Sequence, residues 1–280
     1  MTSRLGLIAA AALLAVVVVA APAAAGDVLN RVMASKKLVN ALDVEYPPFS
    51  FVDVDKTMDG FDVDVSKEVA KRLGVEAEQV TPGWDVITAG KWAGRWDISI
   101  GSMTPTKERA AVLDFPVPYY FSRAVLLVNK NSAAKEPKDL SGKKVGAQVA
   151  TTYEKYLQKD LEIDAVGAPP VTYRIDNAQI VPYDEEPQGI DDLAAGDGTR
   201  LDGMIMGLLT AEEYLKNGKP VKIIGEPLFY EPVAVAIDKG DPEFAAKIKE
   251  IIEAMRADGT LKKLSEKRLG VDITAPPQGS

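Results

Sequence analysis

The stretch Asp97-Ile-Ser-Ile-Gly-Ser-Met-Thr-Pro-Thr-Lys-Glu-Arg109, which runs on to Tyr120, says more about this chain than any other segment. Its first residues alternate between apolar and small or polar side chains, and this pattern predicts a short strand. Gly101 and Ser102 are predicted to end that strand. The segment therefore predicts a strand followed by a turn, with small residues at the turn.

A helix is predicted directly after this turn. Thr104 is a favourable N-cap and Pro105 a favourable first helical residue, so Arg109 would lie one turn inside the helix. Hydroxyls, free backbone N–H groups and one guanidinium would then converge at the strand end, which suits a carboxylate ligand. The alternative is an ordinary strand–turn–helix unit with a solvated Arg109.

Several other segments carry a resemblance to a known family. They occur in this order: Tyr46-Pro-Pro-Phe-Ser-Phe51, Gly60-Phe-Asp-Val-Asp-Val65, Trp84-Asp-Val-Ile87, Asp97 to Tyr120, Asp139-Leu-Ser-Gly-Lys-Lys-Val-Gly146 and Ala257-Asp-Gly-Thr-Leu261. Together they span nearly all of the chain after residue 26. In this order they resemble the polar amino acid-type periplasmic solute-binding proteins of ABC importers, the bacterial extracellular solute-binding proteins of family 3.

The resemblance implies an α/β fold with two lobes, the type II periplasmic-binding-protein fold. Each lobe would be a mostly parallel sheet flanked by helices, with the ligand cleft at the hinge. Lobe one would comprise 26–129 and 234–280, and lobe two, residues 130–233, would be inserted between them. A mature chain of 255 residues (280 less 25) also favours two lobes over one domain.

The N-terminus has the pattern of a secretory signal peptide. Arg4 precedes an apolar run over 5–21, and Pro22-Ala-Ala-Ala25 supplies small residues for cleavage. A retained transmembrane helix is the alternative, because the run is close to spanning length. Cleavage near Ala25 is favoured, since no basic stop follows, and it predicts a periplasmic protein.

Composition removes several classes of function. The chain has no cysteine and no histidine, which excludes disulfides, a lipid anchor on cysteine, and Ser–His or Cys–His catalysis. A formal net charge of −8 makes it a poor binder of nucleic acid. No catalytic residue, metal or cofactor is predicted, and we expect a freely diffusing monomer.

Hydrophobic periodicity predicts the main elements. A first strand is predicted over 37–42, a helix from Phe61 to a stop at Gly74, another helix over 84–92, and a helix from Asp241-Pro242 to near Gly259. Strands that alternate with helices in this way favour βα units.

The second lobe is less regular in sequence. The apolar segments 124–128 and 233–237 are strand-like and match the crossovers between lobes in the resembling family. Thr151-Thr-Tyr-Glu154 has the pattern of a capping box that opens a helix. Residues 168–192 are predicted to form a loop and strand excursion. The acidic Asp184-Glu-Glu-Pro187 within it is interpreted as a solvated turn.

The resemblance assigns ligand-binding roles to residues at the carboxyl ends of strands. Tyr46 and Trp84 would be apolar walls, and Arg109 would clamp the carboxylate of the ligand. The remaining candidates are the strand-end residues Gly101, Ser102 and Thr104, the lobe-two helix start Thr151 and Thr152, and the acids Asp43 and Glu45. The two acids could hold a basic group of the ligand or could be solvated loop residues.

Gly207 departs from the family pattern. In the segment Leu201-Asp-Gly-Met-Ile-Met-Gly207, the family usually carries at the last position an aspartate that binds the α-amino group of the ligand. An unpaired ammonium in a closed cleft costs on the order of several kcal/mol. Either another acid serves, or the solute lacks an ordinary α-amino group, as a betaine or an opine does.

The leading interpretation is a receptor for a small carboxylate-bearing solute, an amino acid or derivative, that works with ABC permease and ATPase subunits. One alternative is an enzyme that resembles periplasmic cyclohexadienyl dehydratases, with Glu45 or Glu231 as the acid. A third interpretation is an accessory or sensor protein that has the fold but no transport role.

Overall fold

The computed structural model describes residues 27–165 and 170–276, and the predicted signal peptide lies outside these ranges. In chain order the helices are α1 Asp27–Ser35, α2 Phe61–Leu73, α3 Trp84–Thr88, α4 Lys107–Ala110, α5 Thr152–Gln158, α6 Glu186–Ala194, α7 Leu208–Lys216, α8 Pro242–Ala257 and α9 Thr260–Leu269. The strands are β1 Lys37–Ala41, β2 Glu45–Tyr46, β3 Ser50–Val52, β4 Met58–Asp59, β5 Glu76–Val80, β6 Ser99–Met103, β7 Leu113–Asn129, β8 Lys144–Gln148, β9 Gln179–Tyr183, β10 Gly203–Gly207 and β11 Val221–Asp238. No helix in the described ranges is both long and apolar enough to cross a membrane.

A six-stranded sheet in the order β6-β11-β7-β10-β8-β9 connects the two halves of the molecule. The long strands β7 and β11 pair antiparallel over most of their length. The β10–β8 and β8–β9 pairs are parallel, as is the separate β1–β5 pair. The six-stranded sheet is therefore mixed, whereas the β1–β5 sheet is parallel and β2, β3 and β4 form a small antiparallel sheet.

The apolar core is divided in the same way. Two of the apolar clusters contain residues of α2, α8 and β6, such as Val65, Ile252 and Ile100. We call the half of the molecule built around these clusters lobe one. The other cluster packs β8, α6 and β10 residues such as Val145 and Ile190, and this half is lobe two. Strands β7 and β11 contribute to both. The boundaries at 129/130 and 233/234 stay a prediction.

The strongest periodic predictions are confirmed. Helix α2 ends at Gly74, which adopts the left-handed conformation at φ 73°. Helix α8 begins after Asp241, whose carboxylate accepts a hydrogen bond from the backbone N–H of Phe244. The apolar face predicted for α8 is buried: Phe244, Ile248, Ile251, Ile252 and Met255.

Three predicted boundaries are wrong. The first is the strand end, since β6 runs through Gly101 and Ser102 to Met103. The helix that carries Arg109 is capped by Thr106 rather than Thr104, because β6 continues to Met103, which pairs with β11. Pro105 holds the preceding residue out of the helical region, so the chain stays extended for two more residues. Helix α3 ends at Thr88 instead of residue 92, since Gly90 and Lys91 both have positive φ.

The lobes are in contact across the cleft. The backbone N–H of Lys107 donates to the carbonyl of Glu162 at 3.0 Å, and that of Asp164 donates to Pro105 at 3.0 Å. Beside this two-stranded bridge, Lys155 of lobe two pairs with Glu108 of lobe one at 2.7 Å. The structure is thus a closed arrangement of the two lobes.

Candidate functional site

A cavity lies between the lobes. Residues predicted as ligand-binding that line it are Asp43, Tyr46, Trp84, Gly101, Ser102, Thr104, Arg109, Thr151 and Thr152. Most of them lie at or just after the carboxyl ends of strands, where open α/β sheets bind ligands. Asp43 follows β1, Trp84 follows β5, Gly101 to Thr104 lie at the end of β6, and Thr151 and Thr152 follow β8. The structure therefore brings together most of the residues that the resemblance assigned.

Arg109 is the one basic residue among the described lining residues, and it is buried, with 6% of its surface exposed. Its guanidinium donates to the carbonyl of Thr104 in lobe one and to that of Ala150 in lobe two, both at 2.8 Å. Within the described ranges, no carboxylate lies within ion-pair distance of it. Burial lowers the pKa of Arg109 to about 10. The site thus holds a buried guanidinium that no carboxylate of the described residues contacts directly.

The carbonyl of Ala150 lies where the two lobes meet. Ala150 has φ 58° in the turn between β8 and α5. Its carbonyl accepts from Arg109 and from the indole N–H of Trp84, the latter at 3.3 Å. The guanidinium of Arg109 also lies over the Trp84 ring, 5.5 Å from its centre. Trp84 therefore serves both as a wall of the cavity and as a support for Arg109.

Ser102 is fixed by a buried network beneath the cavity. Its hydroxyl donates to Asp62 at 2.7 Å and accepts from the hydroxyl of Tyr120, and its backbone N–H donates to Tyr119. The hydroxyl of Tyr119 in turn donates to Asp62 at 2.7 Å. Burial raises the pKa of Asp62 to about 7 despite these hydrogen bonds.

Glu231 of β11 lies in the cavity wall, where the sequence analysis placed it only as the acid of an alternative enzyme. One carboxylate oxygen accepts hydrogen bonds from the hydroxyls of Thr104 in lobe one, at 2.7 Å, and Thr152 in lobe two, at 2.8 Å. Burial raises the pKa of Glu231. Glu231 therefore connects the lobes through one carboxylate.

Glu186 overturns the interpretation of 184–187 as a solvated turn. It is 1% exposed, begins α6 just before Pro187, and lines the cavity. Neither of its carboxylate oxygens has a hydrogen-bond donor among the described residues. Burial, together with the negative charges of Asp43 and Glu231, raises the pKa of Glu186 well above its ordinary value.

Two tyrosines occupy the space beside Gly207. The hydroxyls of Tyr46 and Tyr153 lie 3.3 Å apart. A Cβ atom at position 207 would lie 2.6 Å from the Tyr46 hydroxyl oxygen and 3.2 Å from that of Tyr153. Gly207 is buried behind these rings and does not line the cavity itself. Its lack of a side chain makes room for the Tyr46 hydroxyl.

The two acids of the first loop differ. Asp43 lines the cavity and accepts a hydrogen bond from the side-chain amide of Gln148 at 2.8 Å. Glu45 is exposed on β2 and is not part of the cavity wall. Within 27–165 and 170–276, no group of acidic residues has the arrangement of a metal site.

Sequence reasoning missed three lining residues: Gln148, Tyr153 and Glu186. Gln148 is the last residue of β8, and Glu186 follows the end of the adjacent parallel strand β9 by three residues. Gln148 and Glu186 could have been found from their positions at or after the ends of these strands, because neighbouring parallel strands end at the same edge of a sheet. This required β9 to be recognised as a strand.

Comparison with known proteins places these observations in a family. Residues 38–271 match the family model of the bacterial extracellular solute-binding proteins, family 3. The L-cystine-binding protein of Escherichia coli is 32% identical over 250 residues, which cover 88% of each chain. The L-arginine-binding protein of Pseudomonas aeruginosa is 30% identical over 249 residues, 86% of this chain and 90% of the relative.

A solved structure agrees with the fold. An ancestral amino acid-binding protein, described as a precursor of cyclohexadienyl dehydratase, is 32% identical and superposes with a TM-score of 0.74. The similarity covers 86% of this chain and 99% of that one.

Proposed function

Since this chain belongs to the bacterial extracellular solute-binding proteins of family 3, we propose that it is a receptor for a small solute with a carboxylate, an amino acid or a derivative of one. It binds the solute between its lobes and delivers it to an ABC permease with its ATPase. We further propose that it acts as a periplasmic monomer after cleavage near Ala25.

The observation that carries this proposal is the unpaired guanidinium of Arg109. Its hydrogen bonds to two neutral carbonyls do not neutralise its charge, and only 6% of its surface is exposed. A buried guanidinium that no carboxylate contacts is costly, and a ligand carboxylate that pairs with it directly lowers that cost. Arg109 therefore favours an anionic group in the ligand.

The same residues couple binding to closure. Arg109 reaches lobe two through Ala150, next to Thr151 and Thr152, which line the cavity. A ligand carboxylate at this point contacts both lobes at once. Binding then stabilises the closed arrangement over an open one.

A thermal-shift panel of amino acids, opines, betaines and carboxylates, followed by titration calorimetry, tests the proposal. Arg109→Ala should cost the best solute about 2–5 kcal/mol of binding free energy, because a buried charge pair is broken. Arg95→Ala is the matched control, since Arg95 stacks on Trp96 outside the cavity. Binding by Arg109→Ala within threefold of the wild type would contradict the carboxylate clamp.

One observation supports an enzyme as the second candidate. Glu231 is a buried carboxyl in the cavity wall with a raised pKa, as an acid catalyst in a dehydratase would need. The receptor is favoured because both relatives described above carry the names of binding proteins. Release of product from prephenate or arogenate by the wild type, abolished in Glu231→Gln, would instead favour the enzyme.

Transport and sensing are distinguished by the partner. We expect the purified protein, loaded with its solute, to stimulate ATP hydrolysis by the cognate permease–ATPase complex reconstituted in membranes. The N-terminus of the protein recovered from the periplasm, read by mass spectrometry, should begin near residue 26. Loaded protein that leaves ATP hydrolysis unchanged would favour an accessory or sensor role.

A further inference from the structure

The charges around the cavity do not balance. Three acids line it, Asp43, Glu186 and Glu231, against the single base Arg109. A solute carboxylate at Arg109 adds a further negative charge. Because burial raises the pKa values of Glu186 and Glu231, a solute with two cationic groups stabilises the charged forms of these acids more than a solute with one ammonium does.

Hydrogen bonds show which acid is available. Asp43 accepts from Gln148 and from the backbone N–H of Glu45, and Glu231 accepts from the hydroxyls of two threonines. Glu186 is the exception among the three, because neither of its oxygens has a donor in the described chain. A buried carboxylate without donors is strongly disfavoured. A ligand donor at Glu186 removes this penalty.

The position usually used by the family cannot serve in its place. A side chain at 207 would meet the hydroxyl of Tyr46. Position 207 therefore supplies no acid to the cavity, whereas Glu186 does. This acid lies on α6 instead of at the end of β10.

The two free oxygens also indicate the kind of cation. An ammonium carries three N–H donors and a guanidinium five, whereas a quaternary ammonium carries none. Only the first two can satisfy both oxygens of Glu186. A betaine therefore leaves both carboxylate oxygens of Glu186 without a hydrogen-bond donor.

We propose that Glu186 is the residue that receives an N–H-bearing cationic group of the solute, and that the solute is an amino acid with a net positive charge. This inference rests on the proposed function, because it takes the carboxylate end to be held at Arg109. It names Glu186 as the source of selectivity for the cationic end.

Titration calorimetry with matched probes tests the inference. L-Arginine, L-lysine and L-ornithine are the cationic probes, and L-citrulline, nearly isosteric with arginine but uncharged in its side chain, and L-glutamine are the neutral ones. The wild type should bind the tightest cationic probe at least about tenfold more tightly than either neutral probe. Glycine betaine should bind more weakly than that probe.

Glu186→Gln keeps the shape of the side chain and removes its charge. It should weaken the tightest cationic probe about tenfold or more, and change the neutral probes by less than about threefold. Glu185→Gln, one residue earlier and outside the cavity wall, is the matched control and should leave all affinities unchanged. Circular dichroism and the melting temperature without ligand verify that each variant is folded.

Several outcomes would overturn the inference. These are neutral probes that bind as tightly as cationic ones, a Glu186→Gln variant that keeps the wild-type preference, an equal loss for both kinds of probe, and no binding of any probe. Failure of the proposed function looks different, since Arg109→Ala would then leave the binding of every carboxylate solute unchanged. If a betaine bound most tightly and its binding depended on Arg109, the role of Glu186 would be refuted but the proposed function would stand.

Discussion

Asp62 shows how a single buried residue couples the binding surface to stability. It lies beneath Ser102 and accepts hydrogen bonds from Ser102 and Tyr119, yet burial raises its pKa to about 7. In the unfolded chain its pKa is about 3.9. Between these two values the folded protein keeps a proton that the unfolded chain has lost.

Stability should therefore fall as the pH rises from about 4 to about 8, by at most roughly 4 kcal/mol from Asp62. Asp62→Asn has no such titration, and its amide oxygen can still accept from Tyr119. The free energy of unfolding, measured in urea for both proteins across this range, should decrease less for Asp62→Asn than for the wild type as the pH rises. A difference that stays constant with pH would contradict the raised pKa.

Gly207 and Tyr46 form a second pair to test at the residue scale. Because a Cβ at 207 would lie 2.6 Å from the Tyr46 hydroxyl, Gly207→Ala should destabilise the closed form, by about 1–3 kcal/mol as in other overpacked sites. For the same reason Gly207→Asp should weaken the binding of a simple L-amino acid, although the resembling family usually carries an aspartate at this position.

A double-mutant cycle isolates this contact. Tyr46→Phe removes the hydroxyl, after which the nearest remaining atom of that ring would lie 3.7 Å from the new Cβ. Gly207→Ala should therefore cost less ligand affinity in the Tyr46→Phe background than in the wild type, by calorimetry. Strictly additive effects of the two substitutions would show that the hydroxyl is not the obstacle.

At the scale of elements, Asp241 holds two helices together. Its side chain caps α8 by accepting from Phe244, and it also accepts from the backbone N–H of Val28 in α1, both at 3.0 Å. Asp241→Ala should lower the free energy of unfolding by about 1–2 kcal/mol, and Asp241→Asn by less, because asparagine is also a good cap. Urea denaturation measures both.

Glu243→Ala is the matched control, since Glu243 is exposed in the same first turn of α8. It should change the free energy of unfolding by less than about 0.5 kcal/mol. Equal losses for Asp241→Ala and Glu243→Ala would mean that the cap contributes nothing beyond the general effect of a negative charge near the helix start.

At the scale of the whole molecule, closure depends on contacts formed by distant segments. Three contacts cross the cleft: the backbone bridge between 105–107 and 162–164, the Lys155–Glu108 ion pair, and the hydrogen bond from Arg109 to Ala150. The solvent-exposed pair contributes at most about 1 kcal/mol. We therefore expect a bound solute to add to the stability of the closed arrangement.

We expect small-angle scattering to report a smaller radius of gyration when the wild type is saturated with its tightest probe. Trp84 fluorescence should change with it, because its indole N–H meets Ala150 of lobe two only on closure. Arg109→Ala, given the same concentration of probe, should keep the scattering curve of the unliganded protein. An unchanged curve for the wild type with calorimetrically confirmed binding would contradict closure.

The sequence by itself determined what depends on composition and on neighbours along the chain. The absence of histidine and cysteine, the periods of α2 and α8, and the position of Arg109 after β6 are all of this kind. Helical periods and caps arise from residues three or four apart, so they can be predicted locally. The family resemblance then placed most of the cavity wall.

Only the tertiary structure decided which charges are buried and which are paired. Three features bring together segments many tens of residues apart. They are the burial of Glu186, the contact between Tyr46 and Gly207, and the hydrogen bonds of Glu231 to both Thr104 and Thr152. The cost of a charge depends on the water and the donors around it, and these come from other elements. From the sequence alone, an acidic run such as 184–187 is therefore interpreted as solvated, because its burial depends on elements from elsewhere in the chain.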